Sequence, residues 1–245
     1  MTNASQLTGT GPQVVAQGIF SESSTQLHAL GELVHSNDGR AYRYAKVGAT
    51  SLVAGKLYQG AAEDTTNQQS LTVAVNSIDD TSVVTTTTVT LAVNLLAEGF
   101  LTVISATAGA GFQYKIKGNT AATAAVTTFT LSDPIVVATT GTVVVDVRKN
   151  PYDLVVITPA GSATASPVGA AVYNVTNAYF GWLQTHGPAT LLCSTAVTIG
   201  NNVMPLYATA AGAVSAAVDG VKSSIGYALQ GIATTDYGQV FLTID

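Results

Sequence analysis

Apolar and polar positions alternate with a period of two along much of this chain. After Asp38-Gly39, the residues Arg40, Tyr42, Tyr44 and Lys46 fall on one face, and Ala41, Arg43, Ala45 and Val47 on the other. Alternation beyond an Asp-Gly pair marks a β-hairpin, and Leu30–His35 supplies its first strand. A short strand follows at Lys56–Gln59 before the polar stretch 61–70 breaks the pattern. Leu71–Leu96 is dense in Thr and Val, including VVTTTTVTL at 83–91. β-Branched side chains lose rotamer freedom in a helix and fit the pleat of a sheet.

Farther on, Phe100–Ser105 and Phe112–Lys117 read as a hairpin across the Gly/Ala loop 106–111. Strands are expected at Thr127–Leu131, Ile135–Ala138 and Thr142–Arg148, and Asn150-Pro151 marks a boundary. Beyond it, Leu154–Thr158, Val172–Val175, Tyr179–Thr185, Thr190–Ser194, Val203–Leu206, Ile225–Gln230 and Gln239–Ile244 read as strands, with a turn at Gly187-Pro188. One helical turn is expected at Asn94–Glu98, ended by Gly99. Ala208–Val221 is the best helix candidate, weakened by Gly212 and Gly220. No window keeps a capped helical period over a dozen residues, so the chain reads as all-β. Tyr42–Val53 and Tyr179–Leu192 echo each other as aromatic strand, glycine, small residues and an apolar pair. Internal duplication and chance reuse of strand grammar both account for that.

Composition turns this reading toward assembly. Charged residues make up 9% of the 245, against roughly a quarter in an ordinary soluble domain. Interface cores are depleted in charge, so much of the surface is expected to lie against other subunits. The net charge is −5, and the nine Lys and Arg are scattered. Phosphate binding needs clustered cations; Arg40, Arg43 and Lys46 are the nearest thing to a patch and fit a solvated strand face better. No nucleic-acid partner is expected. Nor is a membrane, because no apolar run is long enough to cross one. The first residues lack a basic and then apolar leader, and the single Cys193 excludes an intrachain disulfide and sits in an apolar run. Synthesis in the host cytoplasm fits these features.

Little in the chain converges on chemistry. His28, His35 and His186 lie apart, with no spacing that would place two imidazoles on one metal. Asp79-Asp80 sits in a turn and lacks the ordered oxygen ligands of a calcium loop. The glycines at 109 and 111 precede a strand, whereas a phosphate cradle opens a helix. Gly161-Ser162 has no strand–turn–helix elbow or nearby histidine. Asn174-Val175-Thr176 matches a glycosylation sequon by coincidence. No enzyme, cofactor or metal is expected.

Several ordered stretches resemble a family of tailed-bacteriophage head proteins, the cement, decoration or head-stabilising proteins. They are His28-Ala29-Leu30-Gly31, Asn37 to Tyr44, Val47-Gly48-Ala49 and Leu52 to Tyr58. Glu98-Gly99-Phe100-Leu101, Gly111 to Ile116, Asn150-Pro151-Tyr152, Tyr179 to Ala189 and Val240 to Asp245 complete the series. The resemblance implies a virion protein on the outside of an HK97-type shell, a homotrimer spanning junctions between major capsid protein subunits. It also implies a compact β-barrel or β-tulip-like base domain at 28–70 and 151–245, an antiparallel β domain inserted at 71–150, and an extended N-terminal arm at 1–27. Candidate interface residues are Val14, Val15, Ile19 and Phe20 in the arm, with Arg40, Tyr42, Tyr44, Tyr179 and Trp182 on strands, since Tyr, Trp and Arg are enriched at interface hot spots; for Trp182 a core position is the stronger expectation. A tail or fibre component with a host-binding β domain is the competing reading, though the repeats usual in fibres are missing.

Overall fold

The computed structural model describes residues 7–8, 16–205, 210–217 and 224–245. It is all-β, and helix accounts for only 2%. The chain divides into two compact units, residues 1–61 with 151–245, and residues 62–150.

The first unit begins with strands β1 (Leu7–Thr8), β2 (Leu33–Ser36), β3 (Ala41–Lys46) and β4 (Leu57–Gln59). The second holds α1 (Thr65–Gln68), β5 (Leu71–Val73), β6 (Ser82–Val84), β7 (Val89–Leu91), β8 (Phe100–Ser105), β9 (Gln113–Asn119), β10 (Ala122–Ala125), β11 (Thr128–Leu131) and β12 (Val143–Arg148). The chain then returns to the first unit through β13 (Val156–Ile157), β14 (Pro167–Ala171), β15 (Phe180–Leu192), β16 (Asn202–Pro205), β17 (Val214–Ala216), β18 (Gly226–Ala228) and β19 (Tyr237–Thr243).

The second unit is a nearly closed barrel of six strands in the order β5-β12-β8-β9-β11-β6. Its two ends meet where Ala74 N–H donates to the Val84 carbonyl (2.9 Å) and Thr86 N–H to that of Thr72 (2.8 Å). Alternate residues of every strand point inward, so Leu71, Leu101, Ile116, Phe129 and Val145 share one core. The Thr/Val run is therefore split between β6 and β7, with its threonines largely outside or in turns. Residues 62–70, expected in the base domain, belong here. Asp64 caps α1 through the N–H groups of Thr66 and Asn67, Ser70 N–H donates to Asp146 (2.8 Å), and Arg148 pairs with Glu63 (2.6 Å). Asn94–Glu98 forms consecutive turns, because positive φ at Asn94 (55°) and Glu98 (61°) breaks helical geometry.

The first unit is a curled half-barrel. Its sheet runs β1-β2-β3-β15-β19-β18-β16-β17, with β14 also beside β15 and β4 joining β14 to β13. Strand β15 is thirteen residues long and unbroken where two strands and a Gly-Pro turn were expected. The reason lies in its ladders. Phe180 to His186 pair with β3, while His186 to Leu192 pair with β19. Ile244 N–H donates to the Thr185 carbonyl (3.0 Å), and bonding to β19 alternates from there along the odd-numbered residues. The missing N–H of Pro188 thus points away from β19. Neither β3 nor β14 reaches a partner position opposite it, and proline costs the sheet nothing there. Gly187 (φ 84°) absorbs the local irregularity, its bare Cα packed against Arg40.

Val214–Ala216, inside the expected helix 208–221, is strand β17 against β16; the remainder of that segment lies partly outside the described residues. Ile135–Ala138 forms no strand: Ile135 is buried, but bends replace the ladder. Strand β14 covers 167–171, ahead of the expected Val172–Val175.

Candidate functional site

Both faces of β3 are buried. Ala45 and Val47 enter one apolar cluster with Leu183 and Val155. Tyr42 and Tyr44 enter another with Ile19, Leu30, Phe180 and Trp182. The second cluster is closed by the segment from residue 16 to about residue 30, which the sequence placed largely in an extended arm. Gln17 holds it down. Tyr44 donates to the Gln17 side-chain oxygen (2.8 Å), the Gln17 amide donates to the carbonyls of Phe180 and Ser21 (3.0 Å each), and Trp182 Nε1 donates to the Gln17 carbonyl (3.0 Å). Tyr44 and Trp182 meet edge to face at 4.9 Å.

The expected interface residues consequently separate. Ile19, Tyr42, Tyr44 and Trp182 are core: each is at most 1% exposed. Strand β3, read as half solvated, is covered on its second side, and that is why Tyr42 and Tyr44 point inward; Trp182, for which a core position was the stronger expectation, packs with them. Tyr179 is half-buried and packs on the cluster of Ala45 and Leu183. Val14 and Val15 lie outside the described residues. Phe20, 56% exposed, and the partly exposed Arg40 do reach the surface, and both line one groove.

That groove, with a volume of about 330 Å³, runs over the first unit beside β15 and β19. Its floor includes Gln184, whose amide is fixed by donation to the carbonyls of His186 (3.0 Å) and Pro188 (2.8 Å). Thr190 and Gln239 stand opposite each other on neighbouring strands. Tyr237 projects from the start of β19 and is 51% exposed, yet one side of its ring lies against Gly55. A Cβ on Gly55 would come within 2.6 Å of that ring, and the backbone there has φ 79°. Only glycine accepts both conditions without strain.

Arg40 is the only cationic residue among those lining the groove, and no carboxylate lines it. Asp38 answers that charge at 2.7 Å. A hydrogen bond from Ser36, helped by Arg40, holds the Asp38 carboxyl below its usual range. Arg40 also lies over the Tyr42 ring at 5.7 Å. The wall combines small apolar residues (Ala54, Ala171, Val172, Pro188 and Ala189) with two aromatic rings and a few amide and hydroxyl groups.

The other residues that drew attention on sequence are dispersed. His28 is wedged between Tyr44 and Trp182, with ring centroids 5.1 Å from each. His186 packs edge-on to Phe241, and His35 is exposed. Arg43 is held by Asp245 at 2.7 Å. Asp80 accepts from Ser77 N–H (2.7 Å) to close its turn, and the Asn174 side chain accepts from Ala54 N–H (2.9 Å). Burial pushes the Cys193 thiol up to about 11. Among the described residues no three His, Cys, Asp or Glu gather as a metal ion would need, and no helix is long and apolar enough to cross a membrane. Gly55, Gln184, Tyr237 and Gln239 were not legible as site residues, because only the register of β15 with β19 and the Gly55–Tyr237 contact assemble them. No family model matches the chain, and neither a curated protein nor a solved structure matches it.

Proposed function

We propose that this chain is a structural virion protein that binds the outer surface of an assembled HK97-type phage shell, as a homotrimer over junctions between major capsid protein subunits. The observation that carries the reading is a charge-poor β scaffold with unpaired apolar side chains on its outside. Phe20, Leu27 and Leu33 are exposed within one short stretch of the first unit, and Val75, Ile78 and Val93 within the second, while only 9% of residues are charged. Such a surface suits permanent contact better than free solution. The ordered resemblance to phage head-stabilising proteins supports it further. The motif residues Tyr42, Tyr44 and Trp182 serve the core, so the resemblance bears on the scaffold more than on a docking face.

Stabilisation follows from linkage. A protein that binds the lattice and not the free subunit shifts the equilibrium toward the lattice, and three weak contacts held in one trimer act as a strong one. The N-terminal residues are the part proposed to add to a shell subunit by main-chain bonds. Strand β1 already uses that mode, pairing Leu7 and Thr8 with the edge of β2.

Cosedimentation with expanded heads and with unassembled shell subunits tests the reading. Binding to heads alone is expected; equal binding to free subunits refutes it. Removal of residues 2–15 should weaken head binding with the β fold kept, whereas a cut extending through Gln17 and Ile19 would open the core.

A further inference from the structure

We infer that the groove beside β15 and β19 receives a short, extended, uncharged peptide segment of a partner chain, which adds to the free edge of β15 at Thr190. This goes beyond the virion role and does not rest on it. The ladder of β15 supplies the observation. Ile244 N–H donates to the Thr185 carbonyl (3.0 Å), and the register with β19 continues without a shift to Leu192. Main-chain groups of alternate residues point to opposite edges of a strand. Those of Ala189 and Leu191 therefore turn to β19, and those of Pro188, Thr190 and Leu192 turn to the other edge. That edge is closed at both ends. Strand β3 stops at Ala41, opposite His186, and Gly187 packs on Arg40. Pro188 has no N–H, and its carbonyl accepts from the Gln184 amide (2.8 Å). At the far end Leu192 N–H donates to the Gly55 carbonyl (2.8 Å). Between them Thr190 is exposed and lines the groove, and no described residue is hydrogen-bonded to its N–H or its carbonyl.

A free N–H and a free carbonyl on one strand residue are the template for one residue of an added strand, which exchanges both hydrogen bonds with it. Because a single residue of the edge is open, the slot admits one register. Its reach from Pro188 to Leu192 is about 13 Å at strand spacing, so the segment is short. Ala54, Val172 and Pro188 offer small apolar contacts to its side chains. Arg40 is paired with Asp38 and no carboxylate lines the groove, so a charged segment would be desolvated without a free partner. A proline-rich segment could fill the same walls, but it has no N–H for the Thr190 carbonyl.

The test uses the full-length protein, isotopically labelled for NMR. In hydrogen exchange the Thr190 amide should exchange freely while Ala189, Leu191 and Leu192 are protected; a protected Thr190 overturns the inference, because its edge is then already paired. Three acetylated, amidated pentapeptides serve as probes: Ala-Val-Thr-Val-Ala, Ala-Leu-Ser-Leu-Ala and Gly-Val-Gly-Val-Gly. At least one should shift the Thr190 amide resonance saturably. Thr190→Pro removes an N–H that the ladder with β19 does not use, as Pro188 already does two residues earlier. Affinity should fall about tenfold, the worth of one hydrogen bond, with an unchanged melting temperature, whereas Thr190→Val should keep binding. N-methylation of the peptide's central residue reads the reciprocal bond without touching the fold and should also cost about tenfold. The inference fails if no pentapeptide binds, if neither Thr190→Pro nor N-methylation weakens binding, or if penta-proline binds equally well. Shell cosedimentation is read separately, so failure here leaves the virion reading standing.

Discussion

Replacing Gln17 by leucine isolates what fastens residues 16–30 over the sheet. The native side chain makes three hydrogen bonds, to Tyr44, Phe180 and Ser21. Each is worth about 1 kcal/mol net, which gives ~3 kcal/mol for the set. Two of the abandoned groups retain a partner, since the Phe180 carbonyl still accepts from Ser23 N–H (3.1 Å) and the Tyr44 hydroxyl from Leu27 N–H (3.3 Å). The Ser21 carbonyl loses its partner at a part-buried position and the Tyr44 O–H loses its acceptor, so the expected loss stays at about 2–3 kcal/mol. The equilibrium constant for unfolding the first unit should then rise roughly a hundredfold. Trp182 is the single tryptophan, and its Nε1 bonds the Gln17 carbonyl, so its fluorescence in a urea titration reports on this site. Phe20→Ala, on the same segment but at the surface, serves as the control and should cost less than ~0.5 kcal/mol. Equal losses for the two variants would refute the claim that residues 16–30 belong to the fold.

Gly187→Val should destabilise by about 1–3 kcal/mol through the left-handed backbone, together with a Cβ placed 3.1 Å from Arg40 Cγ; a melting temperature equal to that of the parent would contradict it. The Cys193 thiol should resist Ellman's reagent at pH 8 in the native protein and react on unfolding, since it is fully buried and its thiolate is disfavoured; rapid native reaction would show the site to be open. Burial raises both Tyr42 and Tyr152 to about 12. Their neutral forms are favoured by folding, so this contribution to stability is complete below pH 10 and is lost as pH climbs toward 12. Denaturation midpoints measured across that range should fall, and a flat profile would argue against buried phenols.

Much of the architecture was written in local pattern. Asp38-Gly39 announced the β2–β3 hairpin, and the alternation of Phe112 to Lys117 announced β9 against β8, because turn chemistry and side-chain period are properties of neighbouring residues. Pro188 misled for an instructive reason: proline is excluded from strands only where its N–H is wanted, and which edge wants it depends on partners distant in sequence. Tyr42 and Tyr44 carried the composition of an interface, whereas Trp182 is core as its strand suggested; exposure is decided by what lies on top, and residues 16–30 look polar until Gln17 and Ile19 are seen as a lid's contact points. The groove was the least legible part. Gly55 and Tyr237 are separated by most of the chain, and nothing in either neighbourhood encodes the other.

The interrupted first unit also constrains the order in which the protein can be made. Strand β3 emerges from the ribosome early, yet its partner β15 and the β19 that continues the sheet lie beyond the whole second unit. The second unit is contiguous and can close its barrel while synthesis continues, at about 5–20 residues per second. The apolar faces of β2 and β3 must meanwhile wait uncovered for several seconds. Once folded, the contiguous second unit replaces a long unfolded insertion, shortening the loop that must be closed to pair the two halves of the first unit's sheet.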